Sequence, residues 1–109
     1  MAELTLTQDN FAAEVEQFEG IVLVDFWAPW CGPCRIMTPV LKQLEETGQV
    51  RVLKINMDER SELGAALNIL AIPTLILFKD GVELARNAGT MTLPKLGDWV
   101  QAHVAGDAS

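Results

Sequence analysis

The stretch IVLVDFWAPWCGPC, residues 21–34, contains the only two cysteines of the 109-residue chain, at positions 31 and 34. Its first part, from Ile21 to Ala28, is too continuously apolar for a strand with one solvent-exposed face and predicts a central strand that is covered on both faces. After Cys34, apolar residues recur at helical spacing. We therefore place both cysteines at a junction between a strand and a helix, with Cys31 at the N-terminus of the helix.

The spacing of the two cysteines predicts a redox-active dithiol. Residues i and i+3 in a first helical turn are neighbours, so a disulfide can form and open there without moving the fold. Backbone N–H groups and the dipole at a helix N-terminus favour an anion, so we expect a thiolate at Cys31 and a shielded partner at Cys34. Gly32 allows the turn, and Pro33 suits a first helical turn because its missing N–H would have no partner there.

Two other interpretations of the cysteine pair compete with this one. A structural disulfide that closes so small a ring would contribute only about 2 kcal/mol in the chain-entropy model, less than a long-range bridge. A zinc site needs about four ligands. Beyond the two sulfurs, the chain offers a single histidine, His103, and no second cysteine pair. The redox interpretation is favoured, and we predict no metal site and no cofactor motif in this chain.

Asp25 is the one charged residue inside the apolar central strand. Burial of a carboxylate without a partner is expensive and raises its pKa. Such a group suits a base that takes the proton of the Cys34 thiol. The alternative is a structural aspartate that is hydrogen-bonded or ion-paired to Lys54 on a neighbouring strand. Lys54 could take part in the site or carry its ammonium out to solvent on its long stem.

The remaining sequence alternates between strand and helix patterns, which predicts an α/β fold with a mixed sheet and helices on both faces. In such sheets ligands bind beyond the carboxyl ends of the strands, where Cys31 lies. The predicted elements are a first strand at Leu4 and Leu6, a helix with Phe11, Val15 and Phe18 on one face, the central strand, a helix over 32–47 kinked at Pro39, a strand over 50–57, a helix over 58–68 with Asn68 left-handed, a strand over 75–78, a turn at Asp80-Gly81, a strand over 82–88, and a last helix capped by Thr92 before a polar tail over 105–109.

Length and charge limit the possible classes of function. A chain of 109 residues that is 50% hydrophobic predicts one domain, residues 1–109, with its own core. A formal charge of −7 without a Lys/Arg cluster argues against nucleic acid and anionic membranes as partners. The N-terminal residues lack the pattern of a secretory signal, and no apolar run is long enough to span a bilayer. We expect a reducing, cytoplasmic location, where cysteine pairs are more often catalytic than structural.

In this pattern the chain closely resembles the thioredoxin family, from about Leu4 to Val104. The matching residues occur in the family's order and are Val24-Asp25-Phe26-Trp27-Ala28, Trp30-Cys31-Gly32-Pro33-Cys34, Pro39, Lys54, Asp58, Ile72-Pro73-Thr74, Phe78, Gly81 and Gly89. The resemblance implies a thioredoxin fold, with a five-stranded mixed central sheet flanked by four helices and with Pro73 in cis facing the two sulfurs. The chain departs from the family's common residues at Leu67-Asn68 and at Ala71, which leaves Leu70 and Ala71 beside the cis-proline loop.

The resemblance also implies a function. The implied function is that of a protein-disulfide reductase that serves cell redox homeostasis. Cys31 would attack a substrate disulfide and Cys34 would resolve the mixed disulfide, with Asp25 and Lys54 as further catalytic residues. The residues expected to bind substrate or shape the site are Trp30, Gly32, Pro33, Ile72, Pro73, Thr74 and Gly89. The implied partners are disulfide-containing proteins and a flavin- and NADPH-dependent thioredoxin reductase, and we expect a monomer.

Two rival functions remain at this point. An oxidant or isomerase on the same fold would favour a histidine-bearing dipeptide over Gly32-Pro33. A binding or scaffold protein could carry the same dithiol without using it.

Overall fold

A computed structural model of the protein describes Leu6 and residues 8–107. This part of the chain forms four strands and four helices. Their bounds are α1 Gln8–Phe11, continued by a π-helical segment Ala12–Glu16, then β1 Ile21–Trp27, α2 Gly32–Glu46, β2 Arg51–Asn56, α3 Ser61–Ala66, β3 Thr74–Lys79, β4 Val82–Ala88 and α4 Leu93–Asp107.

The strands form one mixed sheet in the order β2-β1-β3-β4. β1 runs parallel to β2 and antiparallel to β3, and β3 and β4 form an antiparallel hairpin. The hairpin turns at Asp80 and Gly81, whose φ angles are +51° and +84°. Both residues are therefore left-handed, as a two-residue hairpin turn requires. The predicted α/β class, the central position of β1 and the Asp80-Gly81 turn are confirmed.

Helices cover both faces of the sheet because side chains along each strand point alternately to opposite faces. One face of β1 presents Val22, Val24 and Phe26, which pack with side chains of α1 and α3. The other face presents Leu23, which packs with side chains of α2 and α4. Asp25 follows Leu23 by two positions and so lies on the face that α2 and α4 cover.

Several predicted element bounds differ from those of the structure. The expected first strand at Leu4 and Leu6 falls on residues 1–5, which lie outside the described residues, and on Leu6, which lies outside the strands and donates its N–H to the Lys54 carbonyl over 3.5 Å. The described part of the chain therefore has four strands where five were expected. The helix expected over 58–68 forms only between Ser61 and Ala66, because the Asn56 carbonyl accepts from Glu59 and Arg60 and holds a turn there.

The last helix runs beyond its predicted end. Thr92 caps it as expected, since its Oγ1 accepts from the N–H of Lys95 over 3.4 Å. The helix then extends through Ala105 to Asp107, so the polar tail predicted over 105–109 is wrong for residues 105–107, and residues 108–109 lie outside the described residues. No proline stands between Val104 and Asp107, and the cost of Gly106 in a helix, about 1 kcal/mol, does not stop the helical hydrogen bonding there. Within the described residues, no helix has the length and apolar character needed to cross a membrane.

Candidate redox site

The two cysteines form a disulfide at the start of α2. Cys31 is the N-cap residue, with extended backbone angles, and Pro33 lies in the first turn. The Sγ of Cys31 accepts the backbone N–H of Cys34 over 3.2 Å, and the two Cα atoms are 5.2 Å apart. Cys31 is 5% exposed and Cys34 is 2% exposed. The N-terminal position predicted for Cys31 is confirmed, and the sulfur occupies the place where a capping side chain accepts orphan helix N–H groups.

Strand register brings the proline loop to the same end of the sheet. Phe26, next to the last residue of β1, pairs with Thr74, and Thr74 pairs in turn with Ala88. Pro73, which precedes β3, therefore lies beside the end of β1, from which the chain continues to Cys31. The Ile72–Pro73 peptide is cis, and the N–H of Gly89 donates to the Pro73 carbonyl over 2.9 Å.

An apolar cluster surrounds the disulfide. Cys31 and Cys34 pack with Ala28, and the partly buried side chains of Trp27 and Ile72 pack against this group. These apolar side chains shield the two sulfurs from water on the side that faces the protein interior. The sheet thus joins the cysteine pair and the cis-proline loop into one site, as the resemblance implied.

Asp25 is buried without a hydrogen bond. Its side chain is 1% exposed, and neither carboxylate oxygen has a partner among the described residues. Burial raises the pKa of Asp25 to about 7, and the positive charge of Lys54 lowers it by less. A carboxyl group with such a pKa can exchange a proton near neutral pH, as a general acid or base must.

Lys54 pairs with Asp25 in the register of β1 and β2 but forms no ion pair with it in the described structure. The Lys54 ammonium instead lies over the ring of Trp27, with Nζ 4.4 Å from the ring centre. This cation–π contact satisfies the ammonium while its charge still acts on Asp25 through space. The structural alternative for Asp25, a direct bond to Lys54, is not what the geometry shows.

Trp30 is held by a residue to which the sequence pattern assigned no role. The indole Nε1 donates to the Asp58 carboxylate over 3.0 Å, and the N–H of Asp58 donates to Asn56 Oδ1 over 2.9 Å. Asp58 follows the carboxyl end of β2, and this position, together with its place among the residues that match the family, is the signal that could have marked it. Trp30 remains 67% exposed, so its ring is fixed at one edge and open on its faces.

An open apolar groove lies beside the disulfide. It runs between Trp30 and the loop formed by residues 67–72, and its lining consists of Trp30, Met57, Asp58, Ile69, Leu70, Ala71 and Ile72. Leu70 is 96% exposed at its rim. Within the described residues, neither the N–H nor the carbonyl of Ile72 has a hydrogen-bond partner. The groove therefore offers apolar contact and two free backbone groups at the same point.

Some of the predicted site residues lie differently from the others. The Thr74 side chain turns back to the loop, where its Oγ1 donates to the Ala71 carbonyl over 2.6 Å, so it supports the loop from below. Gly89 has a φ of +103° and donates its N–H to the Pro73 carbonyl. Gly32 and Pro33 are exposed in the first turn of α2. His103 lies in α4, with Nδ1 2.8 Å from the Trp99 carbonyl, and belongs to no part of this site.

The zinc interpretation finds no ligand set in the described residues. No group of three or more histidine, cysteine, aspartate or glutamate side chains is placed to hold a metal ion within residues 6 and 8–107.

Comparison with known proteins places this chain in a family. The family model described as Thioredoxin matches residues 2–102. Thioredoxin from Bacillus subtilis (strain 168) is 38% identical over 106 residues, which cover 95% of this chain and 100% of that protein. Thioredoxin from Rickettsia felis is 39% identical over 101 residues, or 91% of this chain and 96% of that protein. Thioredoxin from Staphylococcus saprophyticus is 37% identical over 106 residues, or 95% and 100%.

The family match over residues 2–102 includes the cysteine pair, the buried aspartate and the cis-proline loop. The scaffold interpretation is not supported, because the disulfide lies at the N-cap of α2 beside an open groove and the relatives of this chain are thioredoxins. The chain belongs to the thioredoxin family and is a thiol–disulfide oxidoreductase that acts as a protein-disulfide reductase.

Proposed function

We propose that Cys31 is the attacking thiolate of this reductase, that Cys34 is the resolving thiol, and that Asp25 accepts the proton of Cys34 in the second step. The observation that supports these roles best is the capping contact, in which the Cys31 sulfur accepts the N–H of Cys34 at the start of α2. A negative charge on this sulfur gains from the helix N-terminus, whereas Cys34 lies one turn inside the helix.

In the first step the Cys31 thiolate attacks one sulfur of a substrate disulfide. A new bond joins Cys31 to the substrate, the substrate S–S bond breaks, and the second substrate sulfur leaves as a thiolate that takes up a proton. In the second step the Cys34 thiol gives its proton to Asp25 and attacks the Cys31 sulfur. The bond between Cys31 and the substrate breaks, and the Cys31–Cys34 disulfide forms. The first substrate sulfur leaves as a thiolate and takes up a proton, which Asp25 can return, so that two electrons have passed to the substrate.

Asp25 suits this transfer for a physical reason. A buried carboxyl group with a pKa of about 7 is partly protonated and partly ionised at neutral pH, so it can accept the thiol proton and later release it. Its face of β1 is the one that α2 covers, which puts it beneath the helix that carries Cys34. Lys54 acts on this group through its charge and keeps part of the carboxyl population ionised.

The substrate chain would dock along the proline loop. The free N–H and carbonyl of Ile72 can pair with an extended segment, as in strand addition, and the apolar groove takes side chains that flank the substrate cysteine. Trp30, Ile72 and Pro73 then bind the substrate, while Gly32, Pro33, Thr74 and Gly89 shape the surface.

The wider setting follows from the same chemistry. The disulfide left after each turnover must be reduced again, and we propose a flavin- and NADPH-dependent thioredoxin reductase as the electron donor. A reductase of this kind serves redox homeostasis only where thiols are kept reduced, which favours the cytoplasm. The groove is complete within one chain, which favours a monomer as the working form.

A trapping experiment tests the two cysteine roles. In a Cys34→Ser variant the first step proceeds and the second cannot, so incubation with an oxidised protein such as insulin should give a stable mixed disulfide at Cys31, measured by mass spectrometry after thiol alkylation. The wild type should turn over and accumulate none. A Cys31→Ser variant is the matched control and should neither trap nor reduce. Trapping through Cys34 in that control would reverse the assigned order.

A further inference from the structure

Arg86, far along the chain from the cysteines, contacts the loop that borders the groove. It lies in β4, and its guanidinium binds the Glu83 carboxylate through Nε at 2.7 Å and Nη2 at 2.8 Å. Its remaining nitrogen, Nη1, donates to the carbonyl of Leu67 over 2.8 Å. A planar guanidinium engaged on two sides is fixed in orientation, in a way that a lysine ammonium could not reproduce.

The carbonyl of Leu67 marks the point where α3 ends and the 67–72 loop begins. Asn68 is left-handed, with φ of 58°, its N–H donates to Ala65 over 3.2 Å, and the N–H of Ile69 donates to Gly64 over 2.8 Å. These two hydrogen bonds form a Schellman motif, which satisfies two of the last carbonyls of the helix. Arg86 satisfies a further one, and its positive charge suits the negative end of a helix.

The 67–72 loop is thus fixed at both ends, at one by a residue of β4 and at the other by Gly89, which follows β4. At the start Arg86 binds Leu67, and just beyond the loop the N–H of Gly89 binds the Pro73 carbonyl. Between these bonds lie the exposed Leu70 and the unpaired backbone groups of Ile72. Because the loop is one wall of the groove, its position decides whether a substrate segment can reach both Ile72 and the Cys31 sulfur.

We propose that Arg86, oriented by Glu83, is a positioning residue that holds the 67–72 loop for the docking of protein disulfides. This inference rests on the proposed docking along Ile72. Arg86 takes no part in thiol exchange. Its loss should weaken the binding of protein substrates and leave the reactivity of the cysteines as it is.

An Arg86→Gln variant separates these two effects. With an oxidised protein as substrate, we expect KM to rise about fivefold and kcat to stay unchanged, since one loosened anchor lowers the population of the docking-competent loop. The rate of exchange with oxidised glutathione, which is too small to span the loop, should be that of the wild type. Glu83→Gln keeps the backbone contact of Arg86 but loses the charge that orients it, and should give an intermediate KM.

Arg51→Gln provides the matched control. Arg51 also forms an ion pair, with Glu14 at 2.9 Å, but on a part of the surface that does not line the groove. Loss of this ion pair should leave the KM for the oxidised protein and the rate of exchange with oxidised glutathione unchanged. An equal rise of KM in this control, or an equal loss of rate toward glutathione and protein in Arg86→Gln, would assign the effect to general loosening and overturn the proposal.

Amide hydrogen exchange gives a measurement that needs no turnover. Exchange at Asn68 and Ile69, whose N–H groups are hydrogen-bonded in the cap beside Leu67, should be faster in Arg86→Gln than in the wild type and unchanged in Arg51→Gln. Unchanged exchange in Arg86→Gln would overturn the positioning role whatever the kinetics. If the wild type reduced no disulfide at all, the proposed function would fail instead, and the exchange measurement would still decide whether Arg86 holds the loop.

Discussion

At the scale of single residues, Asp25 combines an energetic cost to the fold with a proposed catalytic task. An unpartnered carboxylate inside a sheet destabilises the folded chain whenever it is ionised. Its pKa of about 7 in the folded chain lies above the value of 3.8 for an exposed aspartate. Between these two pH values the folded chain holds a proton that the unfolded chain has lost, so the free energy of unfolding must fall as pH rises through this window and level off above it.

An Asp25→Asn variant tests this pH dependence. Because asparagine does not ionise, the stability of the variant relative to the wild type should increase by up to about 4 kcal/mol between about pH 4 and pH 8. Urea unfolding of the oxidised forms at both pH values measures the difference, and the oxidised state keeps thiol titration out of the comparison. A stability difference that does not change with pH would show that Asp25 is ionised in the fold throughout. Reduction of protein disulfides at neutral pH should slow in the same variant.

A site residue could be predicted from the sequence when its neighbours along the chain make it unusual. Cys31, Cys34 and Asp25 stand out because their neighbours in sequence make them unusual: a paired thiol at a strand end and a charge in an apolar strand. Arg86 acts on a partner 19 positions away, and nothing in its own surroundings marks it. Asp58 acts on a partner 28 positions away and is marked only by the family resemblance and by its place after β2. Lys54 was ambiguous for the same reason, since the ring of Trp27 that receives its ammonium lies on another strand.

At the scale of the elements, local capping decided which bounds could be predicted. Asn68 and Thr92 end α3 and begin α4 as their side-chain and backbone preferences indicated. The start of α3 was placed too early because the turn held by the Asn56 carbonyl depends on the end of β2. The π-helical segment after Phe11 was not predicted, since the bond from Gln17 N–H to Ala12 over 2.7 Å has no sequence signature of its own.

Two glycines in different elements should respond to alanine with opposite signs. Gly81, in the hairpin turn, has a φ of +84°, and a Cβ there would lie 2.9 Å from the Glu16 carbonyl carbon. Strain and the backbone collision should together cost about 2 kcal/mol or more. A Cβ at Gly97, inside α4, would meet nothing within 4 Å. Gly97→Ala should stabilise by about 0.5–1 kcal/mol through helix propensity.

Thermal unfolding of the two variants measures both signs in one experiment. The midpoint should fall for Gly81→Ala and rise by a few degrees for Gly97→Ala, as expected for a domain of about 100 residues. Because neither glycine touches the groove or the cysteines, reductase activity at low temperature should be that of the wild type in both. Equal shifts of the same sign would mean that the hairpin turn can relax away from Glu16.

At the scale of the whole molecule, the fold class followed from the alternation of strand and helix patterns. The order β2-β1-β3-β4 did not, because the pairing of β1 with β3 depends on contacts between residues about 50 positions apart. That pairing makes the site: it brings the loop before β3 to the end of β1. The cis state of Pro73 was likewise expected only through the resemblance, since an ordinary X–Pro bond is trans.

The folded chain and the disulfide should stabilise each other. Closing a ring of four residues costs the unfolded chain about 2 kcal/mol in entropy, whereas the folded chain already holds Cys31 and Cys34 with Cα atoms 5.2 Å apart. By linkage, the oxidised form should then be about 2 kcal/mol more stable toward urea than the reduced form, and folding should lower the reduction potential by roughly 40 mV. This is the sign that a reductase needs, because a fold that favours its own disulfide drives electrons to the substrate.

Urea unfolding of the wild type with and without excess dithiol measures this difference in stability. The Cys34→Ser variant, which cannot close the ring, should show no difference. A reduced form more stable than the oxidised one would mean that thiolate stabilisation at the N-terminus of α2 outweighs ring closure, and that the couple is poised to oxidise.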